Sequence, residues 1–279
     1  MPSLFSDALR ALVAPADADE PAWRAAIAAI ADLVLTQTTW KIAGQPHRVT
    51  EVEFYVNAPG HRDAFTHDDP MQREFARWYH HRTGLAFRSG TYKGLDLAFG
   101  REDASAAMLI RAIEALDEPR ARFDGPCVCV DHLLALVGHS DVRSFVASYD
   151  RAVDELPGSP SALALVARRP VTIVRSARVG LSLKRGATAE RVRFLAAPYR
   201  FLTDPTRSAK GRLHVACALF REGRSAEEIS AITGTRLAQV RRYVAQYERG
   251  RTLDPESFRR DLSADETAQL LGACERFAP

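Results

Sequence analysis

Residues 49–56, Val-Thr-Glu-Val-Glu-Phe-Tyr-Val, constrain the fold more than any other stretch of this 279-residue chain. The run is β-branched and aromatic and alternates, so it predicts a strand with two unlike faces. Side chains along a strand point to opposite sides in turn. Thr50, Val52, Phe54 and Val56 therefore share one face, and Glu51, Glu53 and Tyr55 share the other. The first face must be buried. The second either meets water or lines a cleft with carboxylates and a phenol.

The flanking patterns make this strand part of a mixed fold. Residues 25–35 are Ala-rich with helical periodicity, residues 57–70 form a loop rich in turn formers and ionisable groups, and a helix is expected over 71–81. Residues 91–100 read as a strand interrupted by Gly94. Residues 107–112 read as a short buried strand carrying Arg111, a charge that needs a partner or a site. A turn at 124–126 leads into a helix over 129–137, and a polar connection covers 150–160. Strands are expected at 171–174, 178–184 and 192–196. Short strands and helices without a βαβ rhythm predict an α+β domain, expected over residues 1–205.

Residues 206–279 read as a small all-α module. A helix over 213–222 ends before Gly223, and Ser225-Ala-Glu-Glu228 is a capping box that starts a second helix. That helix stops at Gly234, and Thr235 is expected to cap a third, running to about Glu248. Helix, short Gly-containing turn, helix is helix-turn-helix spacing. On the third helix Leu237, Val240, Val244 and Tyr247 form an apolar stripe. Gln239, Arg242 and Gln246 fall on the far side, and Arg236 stands at its start. Arginine and glutamine are the side chains that read guanine and adenine edges bidentately. A plain helical hairpin packed on the main domain is the competing reading. Ser263-Ala-Asp-Glu266 is a further capping box, expected to start a last helix with Leu270 and Leu271 inward.

Charge supports a polyanionic partner more by distribution than by total. The net charge is only +3, yet residues 165–207 carry ten basic residues against Glu190 and Asp204. No apolar run approaches the length of a membrane span, and the first residues lack the pattern of a signal peptide, so a cytoplasmic, nucleoid-associated protein is expected. Cys127, Cys129, Cys217 and Cys274 are read as reduced, mostly buried thiols, because Cys-Val-Cys is too tight for a zinc knuckle.

Several segments together resemble one family. Arg48-Val-Thr-Glu-Val-Glu-Phe-Tyr55, preceded by residues 33–44, is similar to the hairpin and Glu-Thr-Glu-Ala-Tyr-type strand of the alkyladenine (3-methyladenine) DNA glycosylases. Met108-Leu-Ile-Arg-Ala-Ile-Glu114 resembles that family's Leu-Leu-Arg-Ala-Leu-Glu strand, and Asp124-Gly-Pro126 resembles its Gly-Pro helix start. Arg178-Val-Gly-Leu181, Val192-Arg-Phe-Leu195 and Pro198-Tyr199 resemble its closing strands. The matches fall in family order over roughly residues 25–203.

The resemblance implies a curved antiparallel sheet with surrounding helices. It implies a monofunctional enzyme that everts a modified base from double-stranded DNA and hydrolyses its N-glycosidic bond, with no metal, cofactor or obligatory protein partner. Carried over residue by residue, Glu53 is the glutamate that activates water and Arg111 helps hold that water. Tyr55 stacks on the flipped base, and His67 is the counterpart of a pocket histidine. Tyr92 or Lys93 falls where the family places its intercalating tyrosine.

Other readings stay open. A glycosylase-like protein without catalysis would use the helix-turn-helix for regulation, and a retuned enzyme would act on a hypermodified base of foreign DNA. The region holding His61, Asp63, His67, Asp68, Asp69, His80 and His81 is more ionisable than a pocket for alkylated adenines requires. It is a solvated loop, a metal site at His61, Asp63 and His67, or a pocket for a more polar base. Lys93 with Asp96 also admits a Schiff-base lyase reading.

Overall fold

The computed structural model describes residues 4–117 and 120–279. The chain is mixed α and β, with a mostly antiparallel sheet and surrounding helices. It divides into two compact units, one of residues up to 61 with 66–172, the other of residues 62–65 with 173–279.

The first unit begins with α1 (Phe5–Arg10) and α2 (Glu20–Gln37). Asp19 caps α2 by accepting from the Ala22 amide at 2.9 Å. Trp23, Ile27, Ile30 and Val34 follow at helical spacing and are buried. Next come β1 (Thr38–Ile42), β2 (Gln45–Ala58) and the two-residue β3 (His61–Arg62). Beyond lie β4 (Phe75–His80), the hairpin β5 (Arg82–Thr83) and β6 (Ala86–Phe87), then β7 (Leu95–Phe99), β8 (Ser105–Ala115) and β9 (Arg122–Asp124). Helices α3 (Pro126–Val137) and α4 (Val142–Val146) precede β10 (Ser161–Leu165). The strands run in the order β10-β1-β2-β8-β7-β4, with β9 beside β8, every pair antiparallel.

Register carries the two faces of β2 across this sheet. Phe54 opposes Met108, Met108 opposes Leu97 and Leu97 opposes Trp78, a row in which every residue is buried. Directly opposed residues project to the same side, so this row belongs to the apolar face. Phe54 meets Phe99 with ring centroids 6.0 Å apart. Trp40 and Trp78 lie 5.2 Å apart, and both indoles donate to Ser161, at its Oγ (2.9 Å) and its carbonyl (3.1 Å).

Residues 71–81 form no helix. A short 3-10 turn at Pro70–Arg73, capped by Asp69 and Gln72, gives way to β4, which pairs with β7. The cap fixes a turn, but Glu74 is already extended and Ala76 adopts a φ of +54° at a bulge. Trp78 and His80 then face one side and Tyr79 the other, all three buried. Pairing with the sheet overrides the local helical spacing. The expected strand over 91–100 is likewise split into a 3-10 turn at Gly90–Tyr92 and β7.

The second unit holds β11 (Val174–Ser176) paired with β12 (Arg200–Leu202), then α5 (Ala189–Leu195), α6 (Arg212–Arg221), α7 (Ala226–Thr233), α8 (Leu237–Gly250) and α9 (Ala264–Glu275). Residues 192–196, expected as a strand, lie largely in α5, because Thr188 accepts from the Arg191 amide and starts a helix. Residues 178–184 form no strand, and of the strand expected at 171–174 only Val174 is in one, as the first residue of β11. Arg178 is instead fully buried on Asp63, with contacts of 2.5 and 3.1 Å, and donates to the Phe194 carbonyl at 3.1 Å.

One core explains why the units divide near residue 173, ahead of the 205/206 boundary expected from the sequence. Ala177, Leu183, Val192 and Leu195 are buried with Leu213, Cys217, Tyr247, Leu271 and Cys274. The segment before residue 205 therefore shares its hydrophobic interior with the helices.

Helices α8 and α9 touch backbone to backbone. A Cβ on Gly272 would stand 2.0 Å from the Tyr247 carbonyl oxygen, and one on Gly250 would stand 2.0 Å from that of Gln269. Only glycine permits this approach. Gly272→Ala is expected to force the helices apart and destabilise the second unit by about 1–3 kcal/mol or more. Chemical denaturation checks it, and an unchanged midpoint would contradict the contact.

Candidate functional site

The polar face of β2 becomes a charged site because β8 brings Arg111 to it. Arg111 donates from Nε to Glu51 (2.8 Å) and from Nη1 to Glu53 (3.2 Å). The Tyr55 hydroxyl donates to the same Glu53 oxygen at 2.9 Å. Glu51 and Glu53 are buried, Arg111 nearly so, and Tyr55 is half-buried. The β2–β8 register slips on either side of Glu51. Such an irregularity re-aims side chains, and here both carboxylates reach one guanidinium. Burial pulls the guanidinium down, but Glu53 and Glu51 more than offset this, and its pKa is raised. One buried cation thus bonds two buried carboxylates.

Following the same row across the sheet reveals further members. Glu53 opposes Leu109, Leu109 opposes Asp96 and Asp96 opposes Tyr79. His81 lies two residues beyond Tyr79, and its Nε2 bonds the buried Asp96 carboxylate at 2.7 Å. Gly94 makes room for that ring: a Cβ there would stand 2.4 Å from the imidazole. His67, exposed at the rim, sets its ring 4.7 Å from that of His81 and 6.5 Å from that of Tyr79. Burial of the ring first, then the adjacent His81, draws the His67 imidazole below its ordinary value. Neighbouring strands are about 4.8 Å apart, so Glu53 and Asp96 stand roughly 10 Å apart with the Leu109 side chain between them.

Of the residues expected from sequence, Glu53, Tyr55 and Arg111 are joined by direct hydrogen bonds. His67 joins Tyr79 and His81 on the same face. Sequence reasoning missed that Asp96, His81 and Tyr79 form a unit, and that Glu51 shares Arg111. The available signal was Asp96 itself, a charge inside the apolar run Leu-Asp-Leu-Ala-Phe.

Other expected residues sit elsewhere. Lys93 is ion-paired with Asp131 and Asp96 with His81, so the lysine and aspartate proposed for Schiff-base chemistry are each engaged by another partner. Tyr92 is 76% exposed beside it, and Leu85, at the tip of the β5–β6 hairpin, is 91% exposed. His61 bonds the Val56 carbonyl at 3.0 Å while Asp63 holds Arg178. Among the described residues no three His, Cys, Asp or Glu side chains gather into a metal site. Cys129, Cys217 and Cys274 are buried and Cys127 half-buried, all of them free thiols.

The second unit has the expected helical hairpin with a different outer face. Ser225 and Glu228 form the capping box of α7, and Gly234 closes it in a left-handed conformation. Thr235 does not cap α8; Arg236 occupies that position without a side-chain cap, and Thr235 is buried. Arg242 grips Asp265 at 2.7–3.1 Å and Gln246 bonds Gln269 at 2.6 Å. Gln239 and Gln246 are half-buried. Helix α9 thus occupies much of the side on which a reading face was expected. The exposed residues of α8 are Ala238, Arg241, Arg242, Ala245, Glu248 and Arg249.

No family model matches the chain. An uncharacterized protein of Acanthamoeba polyphaga mimivirus is 29% identical to it over 119 residues, covering 38% of this chain and 55% of that protein. The alignment therefore spans about half the length of that relative. Among the described residues no helix is long and apolar enough to cross a membrane.

Proposed function

We propose that the chain is a DNA glycosylase, built on a curved sheet of the alkyladenine glycosylase type, that everts a modified base and hydrolyses its N-glycosidic bond. The observation that carries this reading is the buried Glu53 carboxylate, hydrogen-bonded to both Arg111 and Tyr55. A buried charged trio contributes little net stability compared with a well-packed apolar core, and such arrangements concentrate at functional sites.

The chemistry asked of these groups is simple. Breaking the bond at C1′ develops positive charge on the sugar, which the Glu53 carboxylate stabilises. Water then adds at C1′, its proton passes to Glu53, and the electron pair of the broken bond leaves with the base. General-base assistance of this kind is worth about 10² to 10⁴ in rate. Arg111 holds Glu53 in place and orients the water. Tyr55 hands over its hydrogen bond to Glu53 when water enters. Eversion costs a few kcal/mol, offset by stacking of about 1–3 kcal/mol per base against His81 and His67. Asp96 and His81 favour a base with polar edges. Leu85 and Tyr92 are exposed enough to fill the gap in the duplex. The partner is double-stranded DNA, and the place of action is the nucleoid.

Base release tests the reading. Duplexes carrying hypoxanthine, alkylpurines or bulky modified pyrimidines are incubated with the protein and the released bases identified by mass. The expected result is one class of free base with matching abasic sites. Sequence-specific binding without release from any duplex would replace the enzyme with a regulatory DNA-binding protein.

A further inference from the structure

A cleft of about 260 Å³ opens in the first unit between the loop Phe87–Lys93 and the turn Ser140–Arg143. A single water needs only ~10–15 Å³ on the same measure, so the space suits a sugar with its phosphate. Arg88, Lys93 and Arg143 line it together with Ser89 and Ser140, while Phe87, Leu134 and Val142 supply apolar wall. The chemistry is that of a phosphate ester: cations and hydroxyls for the oxygens, apolar surface for the sugar.

The charges inside the cleft differ in how far they are already committed. Lys93 is paired with Asp131. Asp141, the one acid among the lining residues named, is folded back as the cap of α4, accepting from the Ser144 amide at 2.9 Å and from the Ser140 hydroxyl at 3.3 Å. Among the described residues Arg88 is held through Nε, by the Arg82 carbonyl (3.2 Å) and the Thr83 hydroxyl (3.3 Å), which leaves its terminal nitrogens for a ligand. Arg143 is exposed. Arg88 also connects the cleft to the site on the sheet, since its backbone amide donates to the His81 carbonyl at 2.9 Å.

We propose that this cleft holds a backbone phosphate of the nucleic-acid strand whose base comes to lie beside His67 and His81. The strand rests on the glycosylase reading; the phosphate chemistry does not. A free nucleotide would present the same group, so the experiment separates the two sources.

Binding of a fluorescent duplex is measured against salt for the native protein, Arg143→Glu and Arg24→Glu. Arg24 is exposed on α2, outside the basic stretch 165–207 and not among the cleft residues, so its variant carries the same change in net charge. Arg143→Glu is expected to weaken duplex binding about tenfold and to reduce the salt slope by about one, with Arg24→Glu within about twofold of native. Equal losses in both variants, or none in Arg143→Glu, would overturn the proposal. Calorimetry with inorganic pyrophosphate and a nucleoside 5′-monophosphate forms the second arm. Monophosphate binding that needs Arg143, with duplex binding that does not, would overturn the strand assignment in favour of a free nucleotide. Pyrophosphate and duplex binding that both need Arg143, in a protein releasing no base, would uphold the cleft and remove the glycosylase reading. Normal base release with Arg143-independent binding would do the reverse.

Discussion

Arg111→Met is expected to lower stability by about 3–5 kcal/mol, the penalty for breaking a buried ion pair by removing one partner. The size follows from the arrangement: Glu51 and Glu53 are both buried, and Arg111 donates to each. Methionine fills the space but leaves two carboxylates competing for the same dry pocket. Arg111→Lys is expected to rescue little, because an ammonium lacks the planar fork that serves two acceptors at once. The variant also has a pH signature. Without the cation, burial favours the neutral carboxyl in the folded chain, so the defect is smallest below about pH 4, the ordinary carboxylate range, and grows as pH rises above it. Urea unfolding at pH 4 and pH 7.5 checks both statements. Adding Glu51→Gln and Glu53→Gln to Arg111→Met should restore most of the loss. A loss below about 1 kcal/mol at pH 7.5 would mean that the guanidinium is not holding the carboxylates.

Glu53→Gln is expected to reduce base release by about 10² to 10⁴ while leaving the fold and duplex binding in place. Glutamine keeps the shape and can still accept from Arg111 and Tyr55 through its amide oxygen, and Arg111 retains Glu51. What it loses is the negative charge opposite C1′ and the ability to take a proton. Single-turnover release measured at saturating enzyme separates this from weakened binding. Undiminished release would show that the carboxylate is structural and that the chemistry lies elsewhere on the sheet. The pairing of the two variants is informative: Arg111→Met should act mainly on stability, Glu53→Gln mainly on rate.

Much of the first unit was legible because its information is local. Glu51, Glu53 and Tyr55 alternate with Val52, Phe54 and Val56, and period two assigns faces before any partner strand is known. Arg111, a charge on a buried strand, demanded a buried acid, and the structure supplies two. Capping boxes at Ser225 and Ser263 were equally readable, since the bonding groups lie three residues apart. Residues 71–81 were not, because their helical spacing competes with pairing to β7, a contact between strands far apart in the chain.

What the sequence by itself determined was which side chains share a face on each element, and that one face of β2 was polar and either met water or lined a cleft. Tertiary structure alone decided which elements contribute to that site. Register across β8 and β7 placed Asp96 and Tyr79 in the row of Glu53. Packing of α9 tied the exposed Arg242 to Asp265 and the half-buried Gln246 to Gln269, and left Ala238, Arg241 and Arg249 without a partner on α9 among the contacts described. The physical reason is the range of the forces. Alternation and capping act between residues a few positions apart, whereas register and helix docking are set by contacts that exist only once the chain has folded.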